Sequence, residues 1–189
     1  ILELWMNPVK WIVTYGCKLG MYILCDLDVK DFEKIPQNGP LLLYSNHTGT
    51  VEAPIMYTQL TPRPKVTALA KVETWDNWFL GWVFKVWEII PIHRGEADME
   101  AMKKSLDALE KGFILGISPE GTRSREGKLQ RAHGGVAMLA LHSGAPLQAA
   151  VHWGGEHFGT NVKHFKRTKF HLRAGPRLFQ DSHSEKVTT

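Results

Sequence analysis

The chain has 189 residues, 43% of them hydrophobic and 22% charged, with a net charge of +4. That length and balance fit one domain with a sizeable core. The small basic excess suits an anionic partner, such as a phosphate group or an anionic membrane surface. The cations are spread along most of the chain, with a local concentration from Lys163 to Arg177. No long basic arm is present, which argues against nucleic acid.

The most apolar stretch runs from Ile1 to Leu27. Asn7, Pro8, Lys10 and Lys18 interrupt it, and a membrane span needs about 20 mostly apolar residues in a row. Asn7-Pro8 has the chemistry of a helix start. Val9, Ile12, Val13, Gly16, Gly20 and Leu24 then recur at helical spacing. Lysines and interfacial aromatics on such a helix fit either a membrane surface or packing against its own domain. Cys17 and Cys25 lie too far apart along one helix to form a disulfide, so both are read as reduced.

Beyond residue 27, short apolar runs alternate with helical stretches. Strands are expected at Leu41–Ser45, Val66–Ala70, Ile89–Ile92, Phe113–Ile117 and Leu147–His152, with a late one at Lys169–Ala174. Helices are expected from Val51 to just before Thr61-Pro62-Arg63-Pro64, over Trp75–Trp87, over Ala97–Lys111 and over Gly135–His142. The third of these is the clearest, with Met99, Met102, Leu106 and Leu109 on one face. The six tryptophans and phenylalanines between 75 and 87 read first as a core face and second as an apolar wall for a fatty chain or a membrane-dipping surface; Trp75, Trp78 and Trp82 fall on one side. This order predicts an α/β fold with a mixed, largely parallel sheet flanked by helices, behind an N-terminal apolar helical segment. Residues 1–27 form that segment, 28–180 the α/β domain and 181–189 a polar tail.

The unusual residues gather where strands end. Ser45-Asn46-His47, Lys71, His93-Arg94 and Ser118-Pro119-Glu120-Gly121-Thr122-Arg123-Ser124 each follow a strand. In a parallel sheet all of them share the carboxyl edge, where open α/β sheets bind ligands. His47 is the candidate general base, and Glu52, in the first turn of the next helix, the carboxylate that orients it. The 119–124 loop offers Gly121, two hydroxyls and Arg123, the parts of a phosphate cradle. The same residues also make a good surface turn. No H-E-x-x-H, C-x-x-C, G-x-S-x-G or G-K-[ST] pattern occurs, which removes the usual metalloprotease, zinc, serine-hydrolase and P-loop signatures.

These blocks resemble the glycerolipid acyltransferase family, which includes the 1-acylglycerol-3-phosphate acyltransferases. Asn46-His47, with four residues between His47 and Glu52, is similar to its N-H-x4-D motif. Ser118 to Ser124 is similar to its F-P-E-G-T-R-S block, and Lys71-Val72-Glu73 to its K-x-E block. Ile90 to Arg94 resembles the block ending in a substrate-binding Arg, and Ala145 to Ala150 the late block with its proline. Glu52 stands where the family usually has Asp, Ser118 where it has Phe, and His93 where an acidic residue is common.

The resemblance implies that His47, assisted by Glu52, deprotonates a hydroxyl that attacks an acyl-CoA or acyl-carrier-protein thioester directly. The acceptor implied is 1-acylglycerol 3-phosphate (lysophosphatidic acid), the product phosphatidic acid and the setting phospholipid biosynthesis. Glycerol 3-phosphate or another lysolipid is the alternative acceptor. Lys71, Arg94, Glu120, Gly121, Thr122 and Arg123 would bind the acceptor's phosphate. No cofactor, metal or nucleic acid is implied. The resemblance also makes residues 1–27 an N-terminal membrane-interfacial helical segment, so the expected partner is the lipid bilayer, bound peripherally at the cytoplasmic face of the cell membrane. A non-catalytic lipid-binding protein on the same fold is the contrasting expectation.

Overall fold

The computed structural model describes residues 8–60, 65–93, 95, 98–124 and 128–178. Arg94, the Asn7 cap, the Thr61 to Pro64 turn, Ala97 and the polar tail lie outside the described residues.

Seven strands make the sheet: β1 (Cys25–Asp28), β2 (Leu41–Ser45), β3 (Val66–Lys71), β4 (Ile90–Ile92), β5 (Ile114–Ile117), β6 (Leu147–Trp153) and β7 (Thr168–Leu178). The helices are α1 (Pro8–Leu24), α2 (Glu52–Leu60), α3 (Trp78–Val86), α4 (Met99–Glu110), α5 (Gly135–Ser143) and α6 (Phe158–Lys163). The strand order is β1-β7-β6-β2-β5-β3-β4. Strands β6, β2, β5, β3 and β4 run parallel, while β7 pairs antiparallel with β6 and parallel with β1. The sheet is therefore mixed and mostly parallel, as the alternation of elements predicts.

Two cores sandwich this sheet, because successive residues of a strand point to opposite faces. Leu41, Leu43 and Ile114 join Ile55, Tyr57 and Leu60 of α2 and Val83 of α3 on one face. Leu42 and Leu115 join Ala101 and Leu109 of α4 and Leu139 and Ala140 of α5 on the other. Local chemistry sets the helix starts: Asp98 caps α4 by accepting the Ala101 N–H at 2.9 Å, and Asn77 caps α3 by accepting the Leu80 N–H at 3.0 Å.

The Asn77 cap divides the expected 75–87 helix. Trp75 belongs to a 3-10 turn (Val72–Asp76) and packs edge-on against Phe84. Trp87 is buried and stacks on Tyr57 at 4.3 Å. Trp78 is 81% exposed, and Phe79 and Trp82 are also exposed. The single aromatic face expected from spacing thus splits into a buried part and an outward one.

The N-terminal segment is also more differentiated than its hydropathy implies. Its helix ends at Leu24, and Cys25–Asp28 is an edge strand of the sheet. One side of α1 is fixed to the domain: buried Thr14 accepts the Trp87 indole N–H at 3.0 Å, and Lys10 pairs with Glu88 at 2.6 Å. Its other side exposes Ile12, Leu19, Tyr22 and Ile23. No helix among the described residues is long and apolar enough to cross a membrane. Cys17 and Cys25 are free thiols, and burial pushes both up.

Candidate active site

Parallel pairing brings the ends of β2, β3, β4, β5 and β6 to one edge of the sheet. His47 leaves β2 there, and α2 begins at Glu52 a short loop later. The His47 Nδ1 lies 2.6 Å from Glu52 Oε1. The same oxygen accepts the Gly49 N–H at 2.8 Å. A carboxylate only accepts, so the imidazole proton sits on Nδ1 and Nε2 keeps its lone pair. The Glu52 side chain is 4% exposed, against 21% for His47. Burial pushes the Glu52 carboxyl up, but hydrogen bonds from His47 and from the Gly49 and Glu52 backbone outweigh it and hold the group below its ordinary value. Glutamate thus reaches the imidazole from the first turn of a helix, whose dipole favours its charge.

His47 is held from two further directions. Asn46 and His152, at the end of β6, share three hydrogen bonds. The Asn46 amide donates to the His152 carbonyl at 2.8 Å, the His152 N–H donates to Asn46 Oδ1 at 3.0 Å, and His152 Nε2 donates to the Asn46 carbonyl at 2.6 Å. On the other side, the His47 N–H donates to Glu120 Oε1 at 3.2 Å and the His47 carbonyl accepts the Ser124 N–H at 2.8 Å. Asn46 was legible as part of the motif, but His152 as its partner escaped the sequence reading. Strand alternation carried a signal, since Gln148, Ala150 and His152 all fall on the buried face.

Glu120 therefore has a different place from the one expected. It is buried, and its second oxygen accepts the Gln130 N–H at 3.1 Å. One oxygen accepts from the His47 N–H and the other from the Gln130 N–H, so the side chain ties the loop's backbone together. Gly121 makes the turn at φ 63° with its N–H on the Ser118 carbonyl. A β-carbon there would also come within 3.1 Å of the His133 ring. Thr122 and Arg123 are exposed at the same sheet edge, as Lys71 is in part.

A cavity of about 620 Å³ opens beside this cluster. His47, Glu52, Ser118, Pro119 and Gly121 line it, and Tyr57, Leu60, Trp87, Met102 and Leu139 extend it into apolar surroundings drawn from both sheet faces. Lys71, Thr122 and Arg123 are not among its lining residues. The site thus combines a buried carboxylate, an imidazole with a free nitrogen and a long apolar recess.

A family model described as Acyltransferase matches residues 26–153, two thirds of the chain and all of the strand ends just described. The chain belongs to the Acyltransferase family. It is 28% identical to a 1-acyl-sn-glycerol-3-phosphate acyltransferase of Bacillus subtilis, over 78% of this chain and 71% of the relative. It is 23% identical to a chloroplastic 1-acyl-sn-glycerol-3-phosphate acyltransferase of Brassica napus, over 72% of this chain. The match spans only 40% of that plant protein's length. The fold is that of the crystal structure of the 1-acyl-sn-glycerophosphate acyltransferase PlsC from Thermotoga maritima: TM-score 0.70, 20% identity, 94% of this chain and 72% of that one. The family match starts inside β1, so this Acyltransferase domain includes the edge strand that sequence hydropathy assigned to the N-terminal segment.

Proposed function

We propose that the chain transfers a fatty acyl group from a thioester carrier, acyl-CoA or acyl-carrier protein, to the free hydroxyl of 1-acylglycerol 3-phosphate, giving phosphatidic acid. The observation that carries this reading is the His47–Glu52 pair, joined at 2.6 Å beside an apolar cavity of about 620 Å³. The names of the relatives support the acceptor class.

In the proposed reaction His47 Nε2 takes the hydroxyl proton as the oxygen attacks the thioester carbonyl. The carbon–oxygen bond forms, the carbon–sulfur bond breaks, and the imidazolium returns its proton to the departing thiolate. Glu52, kept ionised, stabilises the imidazolium while it exists. The acyl chain occupies the apolar recess. Arg123, Thr122, Gly121 and Lys71 at the sheet edge supply the phosphate contacts, together with Arg94. Glu120 acts on the loop, not on the phosphate.

The outward side of α1 and the exposed Trp78 and Phe79 support peripheral attachment to a bilayer, which for this domain we place at the cytoplasmic face of the cell membrane. The test is free thiol released from acyl-CoA and from acyl-carrier protein, each with 1-acylglycerol 3-phosphate, glycerol 3-phosphate and other lysolipids. Phosphatidic acid should form only when 1-acylglycerol 3-phosphate and a thioester are both present, and His47→Ala should abolish it. Equal release by wild type and His47→Ala would leave a lipid-binding protein without this chemistry.

A further inference from the structure

The turn between α6 and β7 breaks two local rules at one residue. Helix α6 ends in a double hydrogen-bond closure: the Phe165 N–H donates to the Val162 carbonyl at 3.1 Å, and the Lys166 N–H donates to the Asn161 carbonyl at 2.9 Å. This closure needs a left-handed residue at the position Phe165 fills, and glycine is its usual occupant. Phe165 adopts φ 55°. A bulky side chain there is strained. Its ring is also 100% exposed, so no packing within the domain offsets that strain. The turn is otherwise well made, with the Asn161 amide donating to Thr168 at 3.1 Å. Backbone outliers of this kind cluster at functional sites.

The surroundings indicate what the ring meets. From residue 163 to 169 the sequence reads Lys-His-Phe-Lys-Arg-Thr-Lys, with no acid. Lys163, Lys166 and Lys169 are exposed. Arg167 donates to the carbonyls of Tyr22 and Cys25, so the turn is fastened to the last turn of α1. There α1 exposes Leu19, Tyr22 and Ile23. Strand direction fixes the location: β7 runs antiparallel to β6, so the start of β7 lies where β6 ends, at the edge that carries Asn46 and His47. Trp78 and Phe79, which follow β3, lie at that edge as well.

We propose that the Phe165 turn is a second membrane-contact site, whose ring enters the acyl region of an anionic phospholipid surface while Lys163, Lys166 and Lys169 meet the lipid phosphates. The apolar end of α1 beside it continues the same surface, a feature that an acidic carrier protein does not require. The site deepens the peripheral-membrane reading above and rests on it. It turns the catalytic edge toward the bilayer, from which a lysolipid acceptor would enter.

The experiment is co-sedimentation with phosphatidylcholine vesicles and with the same vesicles carrying about one part in four phosphatidylglycerol. The proteins are wild type, Phe165→Gly and Phe165→Trp. Glycine suits the turn, so Phe165→Gly should keep or raise Tm while partition into the anionic vesicles falls about tenfold. Phe165→Trp should bind at least as tightly as wild type. Thiol release with a short-chain, monomeric acceptor should be the same in all three. Binding of Phe165→Gly within twofold of wild type overturns the site, and so does loss of binding in both variants. Unchanged vesicle binding with selective loss of transfer from acyl-carrier protein would assign the turn to that protein instead. If wild type itself ignores both vesicle types, the peripheral-membrane reading fails and this site with it.

Discussion

Asn46 and His152 clasp each other through three hydrogen bonds, and the residue that follows Asn46 is the proposed base. His152 is 1% exposed and stacks on Phe170, so the clasp is anchored in the core. His152→Phe keeps the stack and the volume but removes the donor to the Asn46 carbonyl. The expected result is a fall in kcat of about tenfold or more, because small displacements of a catalytic group are costly. The acceptor KM should stay within about twofold, since no substrate contact is lost. His152→Gln, which restores an N–H donor, should recover part of the rate. Steady-state kinetics on the three proteins decides the matter: equal kcat in His152→Phe and wild type would show that the clasp does not reach His47.

The same histidine makes stability depend on pH. Burial lowers the His152 pKa, and its Nδ1 has no partner among the described residues. The folded state thus disfavours protonation relative to the unfolded chain, whose histidine titrates near about 6.5. Its contribution is fully present above that value and is lost as pH falls toward the lower folded pKa. Melting scans from neutral pH into the mildly acid range should show Tm falling, and the slope should be shallower in His152→Phe. An identical slope in both proteins would place the acid sensitivity elsewhere.

The alternation of elements made the parallel centre of the sheet legible, since each of its strands is a continuous apolar run between helices. Cys25–Asp28 was not legible. Four residues joined to an apolar helix carry no period of their own, and their partner Thr168–His171 lies far along the chain. Spacing also put His47, Glu52 and the 118–124 loop at one edge without revealing which way Glu120 turns. That direction depends on the Gln130 and His47 N–H groups reaching it across the loop. Likewise, helical spacing grouped Trp75 with Trp78, and the Asn77 cap between them separated their fates.

Glu52 tests how far the pair depends on reach. Glu52→Asp withdraws the carboxylate by about one carbon–carbon bond, 1.5 Å. The 2.6 Å contact to His47 and the 2.8 Å contact from Gly49 would then have to lengthen or be rebuilt. A drop in kcat of about tenfold is expected. Glu52→Gln keeps the size but removes the charge and can reverse the imidazole tautomer, for which a loss of about 10³- to 10⁴-fold follows from related His–carboxylate pairs. Turnover of the two variants should rank Asp above Gln; the reverse order would mean that geometry, not charge, is what Glu52 supplies.

Glu120 and Arg123 lie three residues apart and should fail differently. Glu120→Gln replaces one of two acceptor oxygens with an amide donor, so the backbone tie to His47 or to Gln130 is lost. It should lower kcat and Tm together, with about 1–3 kcal/mol of stability lost. Arg123 is exposed and lies outside the cavity lining. Arg123→Ala should leave Tm within about a degree, because surface substitutions away from packing and networks change little. Its effect should fall on the acceptor: a KM for 1-acylglycerol 3-phosphate raised about tenfold, as expected for loss of a charge-assisted phosphate contact, with the thioester KM unchanged. The two KM values, measured separately by varying each substrate at saturating levels of the other, decide it. If both rise together, Arg123 shapes the loop as Glu120 does; if neither rises, the acceptor's phosphate is held elsewhere on the sheet edge.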